Sequence, residues 1–161
     1  VQEELMGIPS FDTPDYSELF SEEKEMIKKL KKTFLMVVGG AVQKFGPDLE
    51  SHQQLLNAAA DILIEIYMAE SAILRREKNA KRFGEEAQSV QIAMAKLYLY
   101  HAVDIIEEKG KESIISFAEG DEQRMMLMGL KRFTKYTNYP DIVDLRKEIA
   151  EKVKAENKYC F

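Results

Sequence analysis

The stretch from Leu55 to Arg76, LLNAAADILIEIYMAESAILRR, followed closely by Val90 to Ile106, VQIAMAKLYLYHAVDII, decides the fold. In the first, Leu55, Ala59, Ile62, Ile66, Ala69 and Ile73 recur at steps of three and four, the spacing that lines one face of an α-helix. Asp61, Glu65 and Glu70 fall among them. Acids so close to an apolar face are either rim groups or partners for something basic. The second stretch places Val90, Ala93, Met94, Leu97, Tyr98, Tyr100 and Val103 on a similar helix.

Working outward, the second helix is expected from about Asp48 to Arg82, closed near Gly84, and the third from near Glu85 to near Gly110. Ser113, Ile114, Ile115 and Phe117 either continue the third helix after a break or form a short segment of their own. Upstream, Ser17 or Ser21 can cap a first helix, with Glu18, Glu22 and Glu23 well placed against its dipole. Its stripe is Ile27, Leu30, Phe34, Val37, Ala41 and Phe45, ended by Gly46-Pro47. Gly39-Gly40 inside that stripe lowers helix propensity by roughly 1 kcal/mol per residue relative to Ala. Close approach of another helix is the usual reason, with a kink or ligand contact as the alternative. Downstream, Asp121 can cap a fourth helix that buries Met125, Met128, Leu130 and Phe133. Pro140 opens a last helix with the stripe Ile142, Leu145, Ile149 and Val153.

No period-2 stretch flanked by hairpin turns is present. The three long helices, about 25 to 35 residues each, would span roughly 40 to 50 Å at the α-helical rise. Short connections force neighbours to run antiparallel, so the expected fold is all-α, an up-and-down bundle of four-helix type. Residues 1–16, with Gly7, Pro9 and Pro14, read as a linker or leader from a preceding domain, and 17–161 as the bundle. The chain starts with Val1 rather than Met and is expected to be a piece of something longer.

At 161 residues, 45% apolar and 32% charged, the chain has the balance of one helical domain with a sizeable core. A net charge of −5 argues against a nucleic-acid partner. Lys28, Lys29, Lys31 and Lys32 form the one basic run, read as the solvated side of a helix or, second, as a contact for an anionic membrane. The lone cysteine, Cys160, excludes an internal disulfide and fits a reducing, cytoplasmic interior. No apolar run reaches the roughly 18 residues that would span a bilayer.

Several chemistries fail on residues alone. His52 and His101 lack a Glu three residues before them, which a carboxylate-bridged di-metal bundle requires, and a zinc site lacks Cys and His. There is no glycine-rich phosphate loop. His101 with Asp104 one turn on is either an acid–base pair or a core-edge histidine with a hydrogen-bond partner. Asp61 and Glu65, one turn apart, call for an Arg or Lys from a neighbouring helix, or a bound cation. Met125, Met126 and Met128 form an adaptable apolar surface, either core or a place for an acyl chain or partner helix. Tyr67, Tyr98 and Tyr100 are expected to pack between helices.

Three segments resemble one family. Ala60–Arg76, ADILIEIYMAESAILRR, is similar to the long helix of the C-terminal domain of acyl-CoA dehydrogenases. Ala93–Tyr98, AMAKLY, is similar to the family's Ala-x-Ala-Lys-Leu helix, and Phe117–Arg124, FAEGDEQR, to its aromatic-Glu-Gly-Thr segment. Their order matches, and the whole chain resembles the extra bundle appended after the catalytic one in very-long-chain members. The resemblance implies a parent that desaturates fatty acyl-CoA with FAD, as a homodimer. It also implies that the N-terminal domains of the same chain are this region's partner.

In many members the glutamate before that glycine removes the α-proton, which makes Glu119 the one catalytic candidate. Here the family's Thr is replaced by Asp121, an acid poorly suited to sit beside flavin phosphates. The expectation is therefore a degenerate copy with no catalytic residue, no FAD and no metal of its own. Asp61, Glu65, Glu70, Arg75 and Arg76 are then expected to form inter-helix or interdomain pairs.

Overall fold

A computed structural model describes residues 18–158. The expected linker over residues 1–16, the Ser17 cap and Cys160 lie outside the described residues. Five α-helices follow in order: α1 (Ser21–Phe45), α2 (Gln53–Phe83), α3 (Ser89–Phe117), α4 (Gly120–Thr134) and α5 (Ile142–Glu156). Short 3₁₀ turns at Gly46–Ser51 and Glu86–Gln88 join the first three. Among the described residues there is no strand, so the all-α expectation stands.

α1 packs on α2, α3 and α4, and α2 and α3 form the most extensive helix pair. α5 lies against α3 alone among the main helix pairs and buries none of its residues fully. Two cores result. One joins Met26, Ile27 and Leu30 of α1 to Ile62, Ile66 and Ile73 of α2 and to Leu99, Val103 and Ile106 of α3. The other joins Val37 and Ala41 of α1 to Ile114 and Phe117 of α3 and to Met126, Leu130 and Phe133 of α4. Core side chains of this size contribute about 1.5–3 kcal/mol each by leaving water.

The helix ends follow local chemistry. Gly46 (φ 51°) and Gly84 (φ 89°) leave α1 and α2 with positive φ, where side chains would be strained. Asp141 caps α5, its carboxylate accepting hydrogen bonds from the backbone N–H of Val143 and Asp144. Helix α1 starts without a side-chain cap after Phe20, which is left-handed at φ 65° and almost fully buried. Glu22 instead reaches across to the α4–α5 connection, accepting from the backbone N–H of Asn138 at 2.6 Å.

Five expectations need correction. The helix does not start at Asp48: Gly46–Ser51 is 3₁₀ and α2 begins at Gln53. α3 does not stop at Gly110 but runs through to Phe117. A Cβ at Gly110 would sit 2.9 Å from Leu130 Cδ1, so this glycine marks a helix crossing rather than an end. Asp121 does not cap α4; the capping position is Glu119, whose side chain makes no capping bond. Met125 and Met128 are not core: they are 50% and 71% exposed, while Met126, Gly129, Leu130 and Phe133 point inward. The α3 register shifts in the same way, to Ala95, Leu99, Ala102, Val103 and Ile106.

Candidate functional site

The acids singled out on α2 lie along a seam with its neighbours. Glu65 accepts a hydrogen bond from the Tyr98 hydroxyl of α3 at 2.8 Å. Glu70 pairs with Lys31 of α1 at 2.6 Å, and Glu77 with Lys24 of α1 at 2.8 Å and Lys81 at 2.9 Å. Glu23 of α1 pairs with Lys96 of α3 at 3.1 Å. Burial, and then the bond to Glu65, pushes the Tyr98 phenol up to about 12. Hydrogen bonds from Lys24 and Lys81 hold the Glu77 carboxyl below the usual range. The seam therefore clasps α1, α2 and α3 together; apart from the buried Glu23, its paired charges sit at the edge of water, where such pairs are worth about 0–1 kcal/mol each.

Not every expected member joins it. Asp61 is exposed, and neither Arg75 nor Arg76 has an ion-pair partner among the described residues. The remedy for Glu65 is a tyrosine rather than the expected Lys or Arg. His101 does not pair with Asp104; its Nε2 lies 3.2 Å from Arg146 Nη2 of α5. Tyr67 does not pack between helices but is 67% exposed. Tyr100 packs on His101 and Tyr136.

Glu119 stands exposed at the start of α4, and its backbone carbonyl accepts from Gln123. Asp121 and Glu122 follow in the first turn, and Asp121 pairs with Arg124 at 3.1 Å. Two of the clefts on the described surface border α2. One is polar and lined by Glu18, Glu77, Lys81 and Glu85; Glu119 belongs to neither. The other, about 330 Å³, is an apolar groove between α1 and α2, lined by Phe34, Leu35, Leu63, Ile66 and Tyr67 with the Lys31–Glu70 pair at its rim.

Neither cleft fits a flavin dinucleotide. The apolar groove has no phosphate cradle, and its only cation is engaged by Glu70. The first turn of α4, where a helix N-terminus would receive phosphate, carries two acids. Among the described residues no three His, Cys, Asp or Glu side chains converge as a metal site.

Of the basic run, Lys28 pairs with Glu25 and Lys31 with Glu70, and Lys32 also has a partner. Met26 and Leu30 beside it are buried, and its exposed apolar neighbour is Leu35, in the groove that Lys31 and Glu70 rim. No described helix is long and apolar enough to cross a membrane.

What residue-by-residue reading missed is the outer face of α2. Leu56, Leu63, Ile64, Tyr67, Met68 and Leu74 are each 40–67% exposed. Their signal was present as a second apolar stripe, one residue along from the first.

An all-α bundle clasped by an interhelical polar seam places the described residues among helical-bundle domains. Comparison places it further. The model of the acyl-CoA dehydrogenase C-terminal domain family matches residues 29–132, and this chain belongs to that family. A probable acyl-CoA dehydrogenase of Bacillus subtilis is 34% identical over 159 residues, 99% of this chain and 26% of the relative. A solved acyl-CoA dehydrogenase from Bacillus anthracis, complexed with FAD, is 33% identical with a TM-score of 0.88, again over 99% of this chain and 26% of that one. The chain thus spans about a quarter of the length of the proteins it matches.

Proposed function

We propose that this chain is the appended, second helical bundle of an FAD-dependent acyl-CoA dehydrogenase of the very-long-chain type, and that the bundle itself performs no chemistry. The parent would desaturate long acyl-CoA at the α,β carbons, FAD accepting the hydride and passing electrons to an electron-transfer flavoprotein. This bundle packs on the flavin-carrying N-terminal domains of the same chain and supports a homodimer. A weaker contact with anionic membrane through Lys28, Lys29, Lys31 and Lys32 would be mainly electrostatic, because Met26 and Leu30 beside them are buried.

The observation that carries the non-catalytic reading is the setting of Glu119. A general base works within hydrogen-bond reach of the proton it removes, in a site that excludes water. Glu119 is exposed, lies outside both clefts and is followed by two further acids. In the full-length dehydrogenase, Glu119→Gln is expected to leave flavin absorbance and long-chain acyl-CoA turnover unchanged. Loss of turnover in a dimer that still holds FAD would put the base here and overturn the reading.

The alternative, a stand-alone helical interaction module, gains some support from the exposed Met125 and Met128. A full-length parent whose body keeps the same thermal stability and assembly after deletion of the bundle would favour it.

A further inference from the structure

We infer that the outward face of α2, from Leu56 to Leu74, is the surface by which the bundle seats on the flavin-carrying body of its own polypeptide. The inference rests on the interdomain reading above and assigns it a place. Its basis is a second apolar stripe on α2, beside the one that faces the core. Leu55, Ile62, Ile66, Ala69 and Ile73 face the core and are buried. On an adjacent side, about 100° round the helix, Leu56, Ala60, Leu63, Tyr67, Ser71 and Leu74 follow one another at steps of three and four without a charge. Ile64 and Met68 widen that stripe to one side, and Leu35 of α1 extends it across the groove on the other. The stripe is about 27 Å long at 1.5 Å per residue.

A contiguous exposed apolar patch of this kind marks an interaction surface. Lipid is disfavoured as the occupant. The stripe is bordered along its length by Asp61 and Glu70, Lys31 beside it is neutralised by Glu70, and Arg75 and Lys78 stand only at its C-terminal end, whereas helices that lie on anionic membranes carry basic residues all along the border. What remains is protein. In both relatives about three quarters of the polypeptide lies outside the matched segment, so a large body of the same chain is available to cover the stripe at high effective concentration. An uncharged stripe calls for an apolar counterpart, as at the centre of a permanent interface.

Oxidation of the flavin-loaded full-length dehydrogenase by hydroxyl radicals, read by mass spectrometry at each methionine, tests this. Met68 and Met125 are matched within the bundle at 49% and 50% exposed, so neither starts with an advantage. The expected result is that Met68, at the edge of the covered stripe, oxidises about fivefold more slowly than Met125. Leu63→Lys with Tyr67→Lys, both at exposed positions, should bring the two rates together.

Equal rates in the unmodified enzyme overturn the inference. So does protection of Met68 that vanishes on dilution to the monomer, which would make a second copy the occupant. Protection that arises only with anionic vesicles would make lipid the occupant and overturns it too. Deletion of the bundle separates the two levels. If deletion lowers the body's melting temperature while Met68 is as reactive as Met125, interdomain packing survives and this face is wrong. If deletion changes nothing and Met68 is unprotected, both fall.

Discussion

Ile62, Ile66 and Ile73 on one side of α2 are 0%, 2% and 0% exposed, whereas Leu63, Tyr67 and Leu74, each the next residue along, are 50%, 67% and 50% exposed. Residue type does not separate the two sets, since both are large and apolar. Neighbours do. The inner set meets Leu99, Val103 and Ile106 of α3 and Ile27 and Leu30 of α1. Leu63 and Tyr67 of the outer set line an open groove with Leu35 and Phe34. A step of one residue turns a helix side chain by more than a quarter of a turn, which is enough to move it from core to surface. The inner face thus accounts for the fold of the bundle, and the outer face for what the bundle does not supply to itself.

The sharpest way to break that contrast is to truncate one residue on each side. Ile66→Ala should lower the stability of this chain by about 3 kcal/mol in urea denaturation, through lost burial and the cavity left behind. Leu63→Ala should change it by less than about 0.5 kcal/mol, as exposed substitutions do. Similar losses at both positions would mean that the outer face is already packed within the bundle, and the contrast would fail.

A second, smaller contrast sits in α1, where two adjacent glycines face opposite ways. A Cβ on Gly40 would lie 2.8 Å from Met126 Cε and 3.0 and 3.1 Å from the Phe117 ring, whereas one on Gly39 would meet nothing within 4 Å. The Met126 terminus can swing aside, but Phe117 is only 3% exposed and has little room. Gly40→Ala should therefore destabilise by about 1 kcal/mol net, crowding outweighing the helix-propensity gain. Gly39→Ala should stabilise by about 0.5–1 kcal/mol through propensity alone. Thermal melts of the two variants moving in the same direction would show that α1 and α4 do not approach as closely as the geometry requires.

These residues also show how far the chain can be read before its structure is known. The stripes of α1 and α2 are legible because apolar residues recur there with polar ones between them, so only one register buries a continuous face. Met125-Met126-Leu127-Met128 offers no such contrast. The choice of Met126 over Met125 and Met128 depends on the α1 and α3 residues that meet it. Gly110 is ambiguous for a related reason: an isolated glycine reads equally as a helix end or a close crossing, and only the Leu130 side chain opposite decides. His101 is drawn to Arg146 because α5 docks on α3, a placement that no local pattern encodes. The outer stripe of α2 was present in the sequence but was overshadowed by the inner one. A search for a single apolar face stops once it has found one. Family membership was legible from three short segments in order, whereas the acyl-chain class was not.

The smallest expected effect lies where α2 meets α3 at the boundary between its two faces. Tyr98 is half-buried and donates to Glu65 at 2.8 Å. At neutral pH Tyr98→Phe should cost about 1 kcal/mol or less, because Glu65 keeps access to water and is not stranded. The pH dependence is the more telling readout. The folded phenol is pushed up to about 12 from the ordinary 10.0, first by burial and then by the Glu65 carboxylate. Between those two values the unfolded chain has released a proton that the folded chain still holds. Stability falls with rising pH wherever the unfolded state binds fewer protons. The contribution of Tyr98 is thus fully present below pH 10 and is lost as pH climbs toward 12. Tyr136, also raised by burial, adds the same sign of slope in both proteins and cancels in the comparison. Urea midpoints of wild type and Tyr98→Phe should converge across that alkaline window while staying apart at pH 8. A gap that holds constant through the window would mean that the phenol ionises alike in both states. The Glu65–Tyr98 contact would then be a solvated surface contact rather than part of the clasp between α2 and α3.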